Sequence, residues 1–201
     1  IPVHLYGNPC NMDKIMEISK KYNIPVIEDA TESLGATYKG QFTGTFGELN
    51  AFSFNGNKII TTGGGGMIVT NDDEKADHLK FLVNQARDSS KGDYHPEIGF
   101  NYRMTNLEAS LGLAQFERLP EFLSKKRKFA EIYKEGFKNN NKIIFQKSYV
   151  GAESSYWLSS IKIESNKSIP EIQSELKEKG IPTRRVFMPI VEFTPYKEYK
   201  K

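Results

Sequence analysis

Residues 27–70 read IEDATESLGATYKGQFTGTFGELNAFSFNGNKIITTGGGGMIVT and carry the strongest structural signals in the chain. The segment 24–27 is short and apolar and is followed directly by acidic residues, a pattern typical of a buried parallel strand. Two further strands are predicted at 51–54 and 67–70. Because ligands gather at the carboxyl ends of parallel strands, Asp29 is predicted to lie where chemistry takes place.

A glycine-rich stretch, residues 61–66, joins the last two of these strands. Glycine permits backbone conformations that other residues avoid, so the stretch can turn back as a hairpin or approach a ligand closely. It is not a P-loop, because that motif needs a lysine after its glycines and Lys58 precedes them.

Helices are indicated on both sides of this block. Apolar residues at helical spacing predict a helix over 12–22. Three pairs of a capping residue and a glutamate predict further helix starts; they are Asn71 with Glu74, Thr105 with Glu108, and Ser168 with Glu171. The corresponding helices are expected to run to about residues 84, 119 and 179.

The pattern of apolar and polar residues changes after the three asparagines at 139–141. Before them, Pro120 is expected to break the preceding helix, and 121–139 is basic and amphipathic. After them, 156–163 and 183–187 resemble strands. We predict an α/β domain over 1–120, a long connecting helix over 121–141 and a smaller, incomplete α+β domain over 142–201.

The composition excludes several classes of protein. A net charge of +3 from 28 basic and 25 acidic residues is too small to suggest nucleic-acid binding. Cys10 is the only cysteine, so no intrachain disulfide can form. The chain shows neither a long apolar run nor a secretory leader. We therefore expect a cytoplasmic protein with a small-molecule partner and no membrane association.

Several motifs in the same order resemble the DegT/DnrJ/EryC1/StrS family of nucleotide-sugar aminotransferases. They are the EDA element at 28–30, the FSF element at 52–54, Lys58 before TTGGGG, VHLYG at 3–7 and GFNYRM at 99–104. The resemblance implies a fragment of a fold-type I aminotransferase that depends on pyridoxal 5′-phosphate (PLP). Residues 1–120 would be the C-terminal part of its large domain, with a mixed, mostly parallel sheet flanked by helices.

Two residues of these motifs match the chemistry that PLP requires. A carboxylate must keep the pyridine nitrogen protonated, and Asp29 is the candidate. A lysine amine must bond to the cofactor aldehyde and later move a proton, and Lys58 is the candidate. Outside this motif, a single aspartate would more often cap a strand or helix, and a single lysine would more often be solvated.

The resemblance assigns further cofactor contacts. Ser53 would donate its hydroxyl to the cofactor phosphate, although a serine between two phenylalanines could equally belong to an edge strand. Glu32 would face the cofactor ring or the substrate, and a surface glutamate is the competing interpretation. Asn101 would reach the phosphate of a neighbouring subunit, which implies a homodimer with shared active sites.

Arginines are the candidates for substrate binding. Arg184 and Arg185 could meet the diphosphate of a nucleotide sugar, and Arg103 lies in the same motif as Asn101. All three could instead be solvated. No metal site is expected, because the three histidines are far apart and no cysteine–histidine spacing supports one.

The all-glycine turn resembles relatives that aminate 4-keto sugars in bacillosamine or legionaminic acid synthesis. Together with FNGNK at 54–58 and YWLSS at 156–160, it points to glutamate as donor and a UDP-linked 2-acetamido-4-keto-2,6-dideoxy hexose as acceptor. Alternatives are an aminotransferase of the GDP-perosamine synthase type and a non-catalytic sugar-binding or sensor protein. A sugar dehydratase is disfavoured because such relatives replace the lysine with histidine. The resemblance also implies that a phosphate-binding helix start before Ile1 is absent, so these residues alone are expected to be poorly active or inactive.

Overall fold

The computed structural model describes residues 1–200 and consists of two compact units. The first comprises Ile1–Lys138 and Lys147–Ser159, and the second comprises Asn139–Gln146 and the chain from Ser160 onward. The sequence pattern placed everything after residue 141 in one C-terminal domain. The structure instead returns Lys147–Ser159 to the first unit.

Five helices and eight strands make up the regular structure of the described residues. The helices are α1 (Met12–Tyr22), α2 (Asp73–Val83), α3 (Asn106–Phe116), α4 (Leu119–Gly136) and α5 (Ile169–Glu178). The strands are β1 (Ile27–Asp29), β2 (Thr37–Tyr38), β3 (Gln41–Phe42), β4 (Leu49–Ser53), β5 (Gly66–Val69), β6 (Ile143–Phe145), β7 (Ala152–Glu153) and β8 (Ile161–Ile163). Short 3-10 turns complete the list.

The main sheet of the first unit has the strand order β1-β4-β5. Strands β1 and β4 are parallel, with Asp29 opposite Ala51, whereas β4 and β5 are antiparallel, with Ser53 opposite Gly66. The sheet is therefore mixed, in agreement with the predicted α/β class. Asp29 is the last residue of β1, as its position after an apolar run predicted, although the strand begins three residues later than expected.

The glycine-rich stretch closes the connection between β4 and β5. Its last glycine, Gly66, pairs with Ser53, and a Cβ atom at that position would collide with the carbonyl oxygen of Phe52. Only glycine lets the two backbones come this close. Of the two alternatives that the sequence left open, the structure forms the hairpin.

Most predicted helix starts are confirmed. Thr105 and Ser168 form capping boxes with Glu108 and Glu171, in which each hydroxyl accepts from the N3 backbone N–H. The start of α2 was predicted one residue too early.

The residue that caps α2 is Asp72 rather than Asn71. Its carboxylate accepts from the backbone N–H of Lys75 at 3.0 Å, and the negative charge also favours a helix N-terminus. At the next break, Pro120 lies in the first turn of α4, where its missing N–H costs nothing.

One predicted strand was too long and another was wrong. Of 156–163 only Ile161–Ile163 is a strand, because Tyr156 adopts a left-handed φ of 48° and Trp157 turns into the interior of the first unit. Residues 183–187 form no strand, since no strand among residues 1–200 pairs with them. The local pattern was compatible with a strand, but pairing partners decide whether one forms.

The segment Lys147–Ser159 is attached to the first unit by a small sheet and by α4. Strand β7 pairs antiparallel with β2, and the backbone N–H of Lys39 donates to Gly151 O at 2.7 Å. From α4, Arg127 donates to the carbonyls of Ser154 and Gly35 at 3.4 and 3.3 Å. This docking places Trp157 beside the carboxyl end of the main sheet.

No helix within residues 1–200 is both long and apolar enough to cross a membrane.

Candidate active site

Asp29 presents a carboxylate at the carboxyl end of β1. Its Oδ1 accepts hydrogen bonds from the backbone N–H of Thr31 at 3.1 Å and from the Thr31 hydroxyl at 2.7 Å. Its Oδ2 has no hydrogen-bond partner within residues 1–200. The side chain is thus held by one oxygen, while the other can accept from a ligand.

Ser53 ends β4, the neighbouring strand. Asp29 lies opposite Ala51 in the parallel pair, and side chains two residues apart on a strand share a face, so Ser53 lies on the face of Asp29 one step further along. Strand β4 runs between β1 and β5, so Ser53 belongs to a central strand and not to an edge.

Lys58 lies in the connection that follows β4. Its backbone N–H donates to Asn55 O at 3.0 Å, which closes a tight turn, and its side chain is half-buried. The ammonium nitrogen lies 4.3 Å from the centroid of the Trp157 ring.

A cleft at this end of the sheet brings these elements together. It is a shallow depression that is partly open to solvent. Its lining residues include Thr31, Glu32, Ser53, Lys58, Ile59 and Trp157. Asp29 is not among the lining residues, but its carboxylate is hydrogen-bonded to Thr31, which is. An amine, a hydroxyl and a carboxylate with an unused oxygen are the donor set that PLP requires, so these residues fit the cofactor.

Glu32 lines the cleft as the resemblance implied, and it also has a structural bond. Its Oε2 accepts from the backbone N–H of Tyr6 at 2.7 Å, where Tyr6 adopts a left-handed φ of 59°. The competing interpretation of Glu32 as a plain surface residue does not hold.

Trp157 is a wall of the cleft, whereas the sequence analysis used it only as part of the YWLSS segment that points to the sugar acceptor. It is 2% exposed, its indole N–H donates to Asn57 O at 2.7 Å, and it stacks on Tyr6 with ring centroids 6.3 Å apart. Its carbonyl accepts from Lys126 at 3.1 Å. Its contact with the lysine-bearing turn was not predicted, although the residue is the only tryptophan of the chain and lies in a segment that resembles the family.

The end of the lysine-bearing connection is fixed from α3. Gln115 pairs with the backbone of Thr61 in both directions, since its Oε1 accepts from Thr61 N at 3.0 Å and its Nε2 donates to Thr61 O at 2.9 Å. A single side chain therefore replaces a strand partner at this point.

Comparison with known proteins agrees with this arrangement. The DegT/DnrJ/EryC1/StrS aminotransferase family matches residues 1–201. The chain belongs to this family. PLP is the cofactor of these aminotransferases, and the mixed sheet with flanking helices is that of a fold-type I fragment.

Individual family members cover the chain almost completely. GDP-perosamine synthase of Escherichia coli O157:H7 is 44% identical over 201 residues, which are 99% of this chain and 54% of that protein. UDP-4-amino-4,6-dideoxy-N-acetyl-beta-L-altrosamine transaminase of Campylobacter jejuni (strain 81-176) is 33% identical, over 96% and 52%.

Among solved structures, Spr1654 from Streptococcus pneumoniae in its PLP form superposes with a TM-score of 0.87 at 27% identity. That match covers 98% of this chain and 56% of the other. The chain spans about half the length of these relatives.

Behind the active face of this DegT-family sheet lies a buried His4–Glu28 network. Both side chains are 0% exposed, and His4 Nε2 lies 2.6 Å from Glu28 Oε1. The N–H of Cys10 donates to His4 Nδ1 at 3.0 Å, so Nδ1 acts as the acceptor and Nε2 as the donor to the carboxylate.

Glu28 also holds the loop before β4. It accepts from the backbone N–H groups of Gly44, Phe46 and Gly47 at 2.6, 2.9 and 3.3 Å. Burial alone would raise the pKa of Glu28, but the hydrogen bonds from His4, Gly44 and Phe46 outweigh it and lower the pKa. Glu28 points away from Asp29, because neighbouring residues of a strand face opposite sides.

Replacing Glu28 is expected to destabilise the fold strongly. Glu28→Ala removes the acceptor of three backbone N–H groups and of His4, and each buried donor left without a partner costs about 1–3 kcal/mol. Chemical denaturation should show the loss as a lower midpoint. The matched control, Glu17→Gln on the exposed side of α1, should change stability by less than about 0.5 kcal/mol.

The pH dependence follows from the lowered pKa of Glu28. A carboxyl group with a lowered folded-state pKa contributes stability above its unfolded pKa of about 4.3 and loses it as the pH falls through the folded value. Wild-type stability should therefore drop in that acid range, and Glu28→Gln should flatten the drop. An unchanged acid limb in Glu28→Gln would assign the drop to other carboxyl groups.

The remaining predicted site residues lie outside the cleft lining. Asn101 is exposed and forms an isolated bridge with Asn84, and Arg103 is exposed two residues later. Arg184 and Arg185 are exposed in the second unit, where Arg184 lies over the ring of Phe187. Their roles remain predictions.

The three histidines lie in different surroundings. His4 is buried, whereas His78 and His95 are exposed and contact Glu97 and the carbonyl of Gln85. Within residues 1–200, no group of three or more histidine, cysteine, aspartate or glutamate side chains is placed to hold a metal ion.

Proposed function

We propose that the complete protein carrying this chain transfers an amino group to a nucleotide-linked keto sugar with PLP as cofactor. The observation that supports this most directly is the shared cleft, where Lys58 and Ser53 face Thr31, which in turn holds Asp29. Asp29 and Ser53 end two adjoining parallel strands, and Lys58 lies in the connection that follows the second strand, which supports the proposal.

Each residue has a defined task in this proposal. PLP, when bound, supplies an electron sink for the carbon that loses or gains the amino group. With the cofactor bound, Asp29 would accept from the ring N–H and favour its protonated form, and Thr31 would orient that carboxylate. Lys58 would hold the cofactor through its aldehyde and would carry the proton at the reacting carbon. Ser53 donates to the phosphate, and Glu32 borders the ring or the substrate.

The acceptor is the finer part of the proposal. The all-glycine turn at 63–66 favours a UDP-linked 2-acetamido-4-keto-2,6-dideoxy hexose, with glutamate as donor and a role in cell-surface glycan synthesis. The 44% identity to a GDP-perosamine synthase supports a GDP-linked 4-keto sugar equally. Arg184 and Arg185 would meet the diphosphate of either nucleotide.

The assembly and location are part of the same proposal. Asn101 and Arg103, both exposed, would reach the cofactor phosphate and the substrate in the active site of a second subunit, so that a homodimer shares its sites. The protein would act in the cytoplasm, where nucleotide sugars are available. The competing hypothesis is a sugar-binding or sensor protein that retains the cleft without turnover.

The test combines cofactor trapping with a substrate panel. Incubation of the complete protein with PLP should give a visible absorbance band, and borohydride should then attach the cofactor irreversibly to Lys58, as peptide mass spectrometry would show. UDP-, GDP- and dTDP-linked 4-keto sugars should next be supplied with glutamate, and 2-oxoglutarate measured. Trapping without any 2-oxoglutarate would favour the binding protein, and trapping at another lysine would refute the assignment.

A further inference from the structure

The ammonium group of Lys58 lies over an aromatic face. Its nitrogen is 4.3 Å from the Trp157 ring centroid, within the range of cation–π attraction, and tryptophan is the aromatic residue that attracts cations most strongly. Both residues line the cleft. Lys58 is half-buried, and Trp157 is 2% exposed. Partial desolvation strengthens the attraction.

The ring under Lys58 is fixed from three directions. Its N–H donates to the carbonyl of Asn57, the residue directly before Lys58, so the indole is tied to the same turn that carries the amine. The ring also stacks on Tyr6 at an interplanar angle of 18°. The backbone carbonyl of Trp157 accepts a hydrogen bond from Lys126 of α4. These contacts fix the position of the indole, so the position of the flexible lysine side chain depends on the indole.

We propose that Trp157 is a positioning residue that holds the ammonium of Lys58 against the cleft wall while no cofactor is bound. The cofactor aldehyde would then replace Trp157 as the partner of the amine. The proposal rests on Lys58 being the cofactor-binding lysine. The aromatic face favours the charged amine over the neutral, nucleophilic one. Lys58 is thus kept directed into the cleft and poorly reactive toward adventitious acylating agents while no cofactor is bound.

The test measures Lys58 in the cofactor-free complete protein. Brief exposure to a limiting amount of an acetylating reagent at one mildly alkaline pH, followed by peptide mass spectrometry, gives the labelling rate of each lysine. Trp157→Leu removes the aromatic face and should raise the Lys58 rate about 3- to 10-fold, the range set by a cation–π contact of this kind. Lys14 and Lys20, exposed on α1, should label at unchanged rates.

Trp157→Phe separates the aromatic face from the rest of the side chain. It loses the hydrogen bond to Asn57 but keeps a ring under Lys58. Because the aromatic face remains, the labelling rate of Lys58 should stay within about 2-fold of wild type. Equal rates in the leucine and phenylalanine variants would overturn the proposal. Unchanged α1 labelling and circular dichroism would show that neither variant has unfolded.

The two proposals can fail separately. A Lys58 rate that depends on the aromatic face, in a protein that borohydride never links to PLP, would contradict the aminotransferase site and leave the contact intact. Trapping at Lys58 together with wild-type labelling in Trp157→Leu would retain the active site and overturn the role of Trp157.

Discussion

Lys58→Ala is expected to lower the rate of amino transfer by about 10⁴-fold or more, because it removes both the covalent attachment of the cofactor and the proton carrier. The visible band formed with PLP should be lost or shifted at the same time. Steady-state 2-oxoglutarate formation and an absorbance spectrum measure the two effects on the same sample of the complete protein.

Two companion variants isolate the chemistry of Lys58 from its charge. Lys58→Arg keeps a cation over Trp157 but carries a guanidinium that does not lose its proton, so it should be as inactive as the alanine variant. A small primary amine added to Lys58→Ala should restore part of the proton transfer. Lys14→Ala, an exposed change on α1, should leave the rate unchanged. Substantial activity in Lys58→Arg would mean that another residue moves the proton.

Asp29→Asn is expected to lower the rate by about 10²–10³-fold, the usual effect of removing one group that stabilises charge in the transition state. The amide keeps an oxygen that can accept from Thr31, so the two hydrogen bonds at 3.1 and 2.7 Å can survive the change. The variant therefore tests the negative charge and not the local fold. Rates under saturating glutamate and sugar measure the effect.

The stability of Asp29→Asn should match wild type to within about 1 kcal/mol, as expected for an isosteric change that keeps its bonds. Asp77→Asn is the matched control, because its carboxylate is 78% exposed on α2, where it pairs with Lys80. If the Asp29 variant retained full activity, the ring nitrogen would need another partner and the assignment of the cleft would fail.

The local part of this architecture could be predicted from the sequence. Asp29 follows an apolar run and therefore ends a buried strand, and Thr105 with Glu108 forms a capping box, because both signals act over a few residues. Lys58 was identified through its motif and lies in the cleft. The correct cap of α2 required a choice between two adjacent polar residues, which pattern alone could not make.

The long-range contacts could not be predicted in this way. Gln115 and Thr61 are 54 residues apart, and the Trp157 indole meets Asn57 across 100 residues. No local pattern encodes such a contact. The stretch from Tyr156 alternates like a strand, yet burial of Trp157 in the first unit decides its conformation. Tertiary packing overrides local preference where one large side chain gains a buried place.

The chain passes between its two units three times, after Lys138, Gln146 and Ser159. No single cut can therefore separate them. A polypeptide ended at Lys138 to isolate the sheet would also lose β7 and the indole beside Lys58, and would expose the Tyr6 ring that is now 5% exposed. A polypeptide meant to reproduce the first unit must keep residues 147–159, joined to Lys138 by a short linker in place of residues 139–146.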